Sequence, residues 1–139
     1  GRLIPRGAVL AHLGRSGVRL WAACVHLGLS DRERAGHARE LTDLLAGLGG
    51  PVVLGGDLNE FPEGTAASWL SGRLWDAFVQ AGEGDGLSYP ASEPRARIDY
   101  LLLGDGLRAE RAWVEDRPEV RAASDHLPIF ADVALEDGA

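Results

Sequence analysis

The chain predicts a mixed α/β fold, and three features of its 139 residues carry that prediction. Two apolar, strand-like runs flank a turn signal at Arg15-Ser16-Gly17. A capped, amphipathic helical stretch follows. A short continuous apolar run, Val52-Val53-Leu54, comes straight after that helix. Strands paired locally, then a helix, then a buried strand is the order of a mixed sheet with helices packed on it.

Residues Gly7 to Leu13 and Gly17 to Leu27 read as two strands of a hairpin. The second ends on His26-Leu27-Gly28. Ser30 with Glu33 three residues later is a capping box. Ala38, Leu41, Leu45 and Leu48 then recur at helical spacing, with Arg34, Arg39, Glu40 and Asp43 assigned mostly to the other faces. Gly49-Gly50-Pro51 is read as the stop.

Val52 to Leu54 reads as a strand buried on both faces, ending at Gly55-Gly56-Asp57. A second helix is expected from Thr65 to Leu70, with Trp69 and Leu70 facing inward, and a further short helical piece over Leu74 to Ala81. Gly82 to Arg95 is rich in Gly, Ser, Pro and acids and reads as loop. Arg97 to Leu103 is an apolar strand, Leu107 to Glu115 an edge strand, and Leu127 to Leu135 the last strand. The pattern lacks the strict alternation of a doubly wound sheet and has no glycine-rich phosphate loop.

Composition narrows the function classes. One domain is the default at this length, and 45% apolar with 25% charged residues is enough to build a core. No run approaches the length of a membrane span. Gly1 to Arg6 is polar and shows no signal peptide, so a cytoplasmic location is expected. The single cysteine, Cys24, rules out an intramolecular disulfide and reads as a small core residue. Abundant Ala, Gly and Arg, with no Lys and no Met, is the composition of a GC-rich bacterial genome.

The net charge is −7. Gripping a duplex backbone needs a positive face, so tight non-specific binding of duplex DNA is not expected.

Polar constellations at strand ends are the candidates for chemistry, because catalytic groups of α/β proteins gather there. Asp57 and Asn59, two apart after a buried strand, suit holding and deprotonating a water, although Gly-Asp-Leu-Asn is also good turn chemistry. Asp99 sits in an otherwise core-like run, where a carboxylate is costly unless it is hydrogen-bonded, bound to a cation, or paired with a neighbour such as Arg97. His126 follows Asp125 before the last strand and suits proton transfer or phosphate binding, or else a turn with a solvated imidazole. His26 closes its strand and reads as a further candidate or a satisfied edge residue, whereas His37 is placed on the helix surface. A serine hydrolase is excluded, because the chain has no Gly-x-Ser-x-Gly elbow and Ser124-Asp125-His126 are consecutive.

Four motifs, in order, resemble those of the endonuclease/exonuclease/phosphatase family: Val25-His26-Leu27, Gly56-Asp57-Leu58-Asn59, Arg97-Ile98-Asp99-Tyr100 and Ser124-Asp125-His126-Leu127-Pro128. The resemblance implies a deoxyribonuclease-like sandwich of two sheets with outer helices. It implies a phosphoesterase using Mg²⁺ or Mn²⁺, with Asp57 as general base or water activator and Asn59 orienting the water. His126 would stabilise the phosphoryl oxygens, oriented by Asp99, and His26 would be a second phosphate-contacting imidazole. Asp125, Asp57 and Asn59 would lie at the cation.

The family's opening Asn and its metal-binding Glu have no counterpart in this chain. The resemblance therefore casts residues 1–139 as the carboxyl-terminal portion of one domain, marginally stable and weakly active by itself. Two other readings stand beside this one. A calcineurin-like phosphatase lacks its Asp-x-His and Gly-Asn-His motifs here, and a binding module that has lost its metal keeps the scaffold without the chemistry.

Overall fold

The computed structural model describes residues 5–136; the first four residues of the Gly1–Arg6 stretch, in which no signal peptide is seen, lie outside them. Strands β1 (Ala8–Arg15) and β2 (Val18–His26) form the expected hairpin. Ser16 and Gly17 both take positive φ, 52° and 84°, the two-residue turn whose twist matches its flanking strands.

Helix α1 (Asp31–Ala46) carries the capping box on Ser30 and Glu33. It stops at Gly47, before the glycine pair read as its end. Ala38, Leu41 and Leu45 are buried as expected. Two assignments on this helix are corrected. Arg34 is buried, because its guanidinium is neutralised by Glu60 and Asp31. His37 is partly buried, and its Nδ1 accepts a hydrogen bond from the Gly28 amide at 3.4 Å.

Strand β3 (Val52–Asp57) runs through both glycines to Asp57. Helix α2 (Thr65–Ser71) follows, with Leu70 buried and Trp69 partly so. The piece expected to be helical from Leu74 divides into a short strand, β4 (Trp75–Asp76), and helix α3 (Ala77–Ala81). Asp76 ends the strand and starts the helix by accepting from the amides of Phe78 and Val79.

The stretch from Gly82 is not wholly loop: β5 (Gly82–Glu83) pairs in parallel with β7 (Leu107–Val114). Strand β6 is Asp99–Leu103 and β8 is Ile129–Leu135. Helix α4 (Pro118–Ala123), opened by a proline in its first turn, was not expected.

Among the described residues there are two sheets, one ordered β1-β2-β3-β6-β4 and one ordered β5-β7-β8. Strand β7 is therefore central in its sheet, not the edge strand its alternation suggested. Side-chain alternation divides the cores. Ala23, Val25, Val52, Leu54, Tyr100 and Leu102 pack with α1 and α2 on one face of the larger sheet. Val53, Leu101 and Leu103 pack from its other face with Ala77, Leu107, Ala109 and Ala112. The result is a two-sheet α/β sandwich with helices outside, as the resemblance implied.

Cys24 is a further correction. It is exposed, because Ala23 and Val25 take the face packed on α1 and Cys24 points the other way, opposite the exposed Val9. No described helix is long and apolar enough to cross a membrane.

Candidate active site

Strand register brings three of the singled-out residues into a row. In the parallel pairing of β2 and β3, His26 is the partner of Asp57. In the antiparallel pairing of β3 and β6, Asp57 is the partner of Asp99. Register partners lie about 5 Å apart across a ladder, so three side chains distant in sequence share one end of one sheet. The ladder continues past them through Leu27 N–H to the Asp57 carbonyl and Leu58 N–H to the Ile98 carbonyl, each at 2.9 Å.

Gly56 makes the approach of β2 to β3 possible. Its φ is 147°, and a Cβ there would lie 1.9 Å from the Val25 carbonyl oxygen. Only glycine fits so close a backbone contact.

Two residues on, Asn59 takes a left-handed φ of 52°. Its amide donates to Asp57 Oδ1 at 2.7 Å, and its Nδ2 donates to the Leu27 carbonyl at 3.0 Å. Asn tolerates this conformation better than most residues. The turn chemistry of Gly-Asp-Leu-Asn and its placement at the site are thus the same feature.

Asp57 Oδ2 lies 3.4 Å from His26 Nε2 and 3.8 Å from His126 Nε2. His126 Nδ1 is 2.8 Å from Asp99 Oδ2, so a proton on Nδ1 donates to that carboxylate and Nε2 faces Asp57. Asp99 does not pair with Arg97. That guanidinium is buried against Asp76, 2.5 Å away, while Asp99 Oδ2 also accepts from the Ser88 hydroxyl at 2.6 Å.

The electrostatics follow from this crowding. Burial raises the Asp57 pKa above the usual carboxylate value; the Asn59 amide and the two imidazoles oppose this, and the Asp99 charge adds to it. Burial alone would lower the His126 pKa. The hydrogen bond and charge of Asp99, joined by Asp57 and Asp125, outweigh it and raise the imidazole above its ordinary value.

Asp57, Asp99 and His126 each offer a ligand atom within 4.8 Å of the others, a grouping able to hold a metal ion. Asp125, exposed on the loop before His126, is not in that cluster.

Three contributors escaped the sequence reading. Glu60, buried next to Asn59, accepts from Arg34 Nε at 3.0 Å and from the amides of Ala66 and Ala67 at 2.7 and 2.9 Å. Its carbonyl accepts from the Tyr100 hydroxyl at 2.8 Å. This ties the Asp57–Asn59 turn to α1, α2 and β6. Ser88 and Tyr89 lie in the supposed loop, and Tyr89 packs on the His126 ring with centroids 4.7 Å apart. A Glu three residues after a Gly-Asp, five before a helical run, was the one available signal; Ser88 and Tyr89 had none.

Solved structures share this fold. An endonuclease/exonuclease/phosphatase from Bacteroides vulgatus superposes with a TM-score of 0.84 at 20% identity, over 94% of this chain and 56% of its own. A mannosyl-6-phosphatase from Bacteroides thetaiotaomicron gives 0.81 at 18%, over 96% and 58%. The human Nocturnin catalytic domain with bound sulfate gives 0.71 at 18%, over 94% and 53%. The chain thus spans rather more than half the length of these structures. No curated protein matches it. The sequence profile described as Endonuclease/Exonuclease/phosphatase family matches residues 5–126, nearly the whole chain, and the chain belongs to that family.

Proposed function

We propose that this chain carries the proton-transfer and phosphoryl-contacting residues of a divalent-cation-dependent phosphoesterase. The observation that supports this best is Asp57 Oδ2, which faces the Nε2 atoms of two imidazoles while Asp99 holds the far nitrogen of one of them. A raised carboxylate pKa brings a general base closer to working pH, and a raised imidazole pKa keeps a cation available for phosphoryl oxygens.

Asp57 accepts the proton of the attacking water, and Asn59, locked by two hydrogen bonds, orients that water from the same turn. His126, held by Asp99, contacts the phosphoryl oxygens where negative charge builds, and His26 contacts them from the other side of Asp57. The carboxylates suit a hard cation such as Mg²⁺ or Mn²⁺. The ligand atoms that lie together are those of Asp57, Asp99 and His126; Asn59 and Asp125, which the resemblance sets at the cation, would join Asp57 there only by closing on it. When bound, such a cation neutralises phosphoryl charge and lowers the pKa of water.

One structure of the same fold is a mannosyl-6-phosphatase, so a sugar phosphomonoester is a substrate class to test beside a simple diester. The net charge of −7 favours small phosphoesters over tightly held duplex DNA. The test is hydrolysis of bis(4-nitrophenyl) phosphate and of a hexose 6-phosphate by the full-length protein, in Mg²⁺ and then in chelator. Turnover of either, abolished by chelation, supports the reading; no turnover in any divalent cation contradicts it. A salt titration of binding to random duplex DNA checks the substrate class. Low-micromolar affinity with a steep negative salt slope would overturn the small-substrate preference.

A further inference from the structure

Asp99 Oδ2 accepts two hydrogen bonds, from His126 Nδ1 at 2.8 Å and from the Ser88 hydroxyl at 2.6 Å. Ser88 is fully buried, at 0% exposure. A buried hydroxyl without an acceptor is costly, and alanine would fill nearly the same space with no polar group to satisfy. The gain from a hydroxyl at this position is therefore realised at Asp99.

The residues around Ser88 grip the other half of the pair. The Ser88 carbonyl accepts from the Leu127 amide at 2.7 Å, and the Ala91 amide donates to the Asp125 carbonyl at 2.7 Å. These two bonds bracket His126 on its own backbone. The Tyr89 ring covers one face of the imidazole, with centroids 4.7 Å apart and planes at 41°. Tyr89 also bridges to Ala96, which folds the segment back onto the approach to β6. Residues 88–91 thus form a strap that touches the Asp99 carboxylate, the backbone on both sides of His126, and the imidazole itself.

We propose that Ser88 is a positioning residue for the phosphoryl-contacting imidazole. Its hydroxyl pins Asp99 Oδ2 in the rotamer that meets His126 Nδ1 and so keeps Nε2 turned toward Asp57. This rests on the phosphoesterase reading for its consequence, but the pinning itself is a property of the folded chain. Ser88 does not touch substrate in this account; it acts through Asp99. A carboxylate behind a histidine fixes tautomer and ring orientation, and partners one step further out support it in the same way.

The experiment uses the full-length protein with Ser88→Ala and Ser88→Thr. It reads steady-state kinetics on bis(4-nitrophenyl) phosphate in Mg²⁺, the thermal midpoint, and the nitrogen-resolved proton signal of His126 Nδ1 without metal. Ser88→Ala should lower kcat about tenfold, the low end for losing such an outer partner, with KM within about twofold and the midpoint little changed. Ser88→Thr, which keeps the hydroxyl, should retain kcat within about threefold. The Nδ1 proton signal should persist in the wild type and in Ser88→Thr and broaden through solvent exchange in Ser88→Ala.

Wild-type kcat and an unaltered Nδ1 signal in Ser88→Ala would overturn the proposal. So would equal losses in both variants with a fallen midpoint, which is what a purely packing role produces. If the wild type hydrolyses nothing, the phosphoesterase reading fails, and the Nδ1 signal alone still decides whether Ser88 holds the pair.

Discussion

Asp57 and Asp99 are register partners across β3 and β6, yet their carboxylates face different company. Asp99 Oδ2 is occupied by Ser88 and His126. Asp57 Oδ1 takes the Asn59 amide, and Oδ2 faces two imidazole nitrogens beyond ordinary hydrogen-bond range. Two like groups on adjacent strands are thereby separated in surroundings: one is hydrogen-bonded to a histidine and a serine, and the other, in the proposed mechanism, exchanges a proton.

That separation predicts a bell-shaped pH profile for kcat/KM. In the proposed mechanism activity requires ionised Asp57, whose burial raises its pKa in the metal-free protein; a bound cation would act the other way, so the acid limb should move to higher pH as Mg²⁺ is lowered. Activity also requires protonated His126, so the basic limb lies above the ordinary imidazole value of 6.5. Asp99→Asn removes the main groups raising His126 and should move the basic limb to lower pH. An unmoved basic limb would dissociate His126 from Asp99.

Stability should follow the same shifts with a defined sign. His126 has a raised folded pKa, so its contribution is complete below the ordinary imidazole value and is lost as pH rises through the folded value. Asp57 is raised by burial, so its ionisation costs stability as pH rises from the ordinary carboxylate value through the folded one. The contributions of His126 and Asp57 should therefore fall as pH rises, whereas Glu33, Glu83 and Asp116, with carboxyl pKa values lowered by their hydrogen bonds, contribute in the opposite sense at acid pH. Asp57→Asn should relieve the lower window. The difference in denaturant midpoint between wild type and Asp57→Asn, followed against pH, isolates the Asp57 contribution, and a difference that does not change across the acid window would contradict it.

Glu60→Ala should destabilise the fold by about 3 kcal/mol, because it strips a partner from the buried Arg34 guanidinium and two acceptor contacts from the start of α2. Activity should fall with it, since the Asp57–Asn59 turn loses its anchor. A midpoint within 0.5 kcal/mol of wild type, roughly the scatter of a surface substitution, would show the network to be dispensable.

The apolar face of the hairpin is open. Val9 is 71% and Leu13 51% exposed on the edge strand β1, and Phe130, Val133 and Leu135 are exposed along β8. Open edges and bare apolar patches promote association. The 139-residue chain should bind a hydrophobic dye and self-associate. A monomer at all concentrations with no dye binding would contradict this.

Local signals were legible in the sequence where the cause is local. The Ser16-Gly17 turn, the Ser30–Glu33 box and the apolar run at Val52 each fix an element through near neighbours. The four polar motifs identified the candidates, and register alone decided that His26, Asp57 and Asp99 would stand in a row. What was not legible depends on distant partners. Arg34 is buried only because Glu60 is 26 residues away to receive it. Strand β7 reads as an edge because its alternation is that of a half-buried strand, and its second neighbour is the two-residue β5, too short to leave a pattern. Ser88 looks like any loop serine until Asp99 is placed against it.

The central claim is that Asp57 is the base at this site, and turnover of the full-length Asp57→Asn variant tests it most directly. Asparagine keeps the size and the Asn59 contact but cannot take a proton at working pH. With saturating Mg²⁺ and a phosphoester that the wild type hydrolyses, kcat is expected to fall by about two to four orders of magnitude, the range of a lost general base. KM should change far less, and the variant should remain folded by its thermal midpoint. A folded Asp57→Asn protein turning over at the wild-type rate would remove Asp57 from the chemistry and contradict the account.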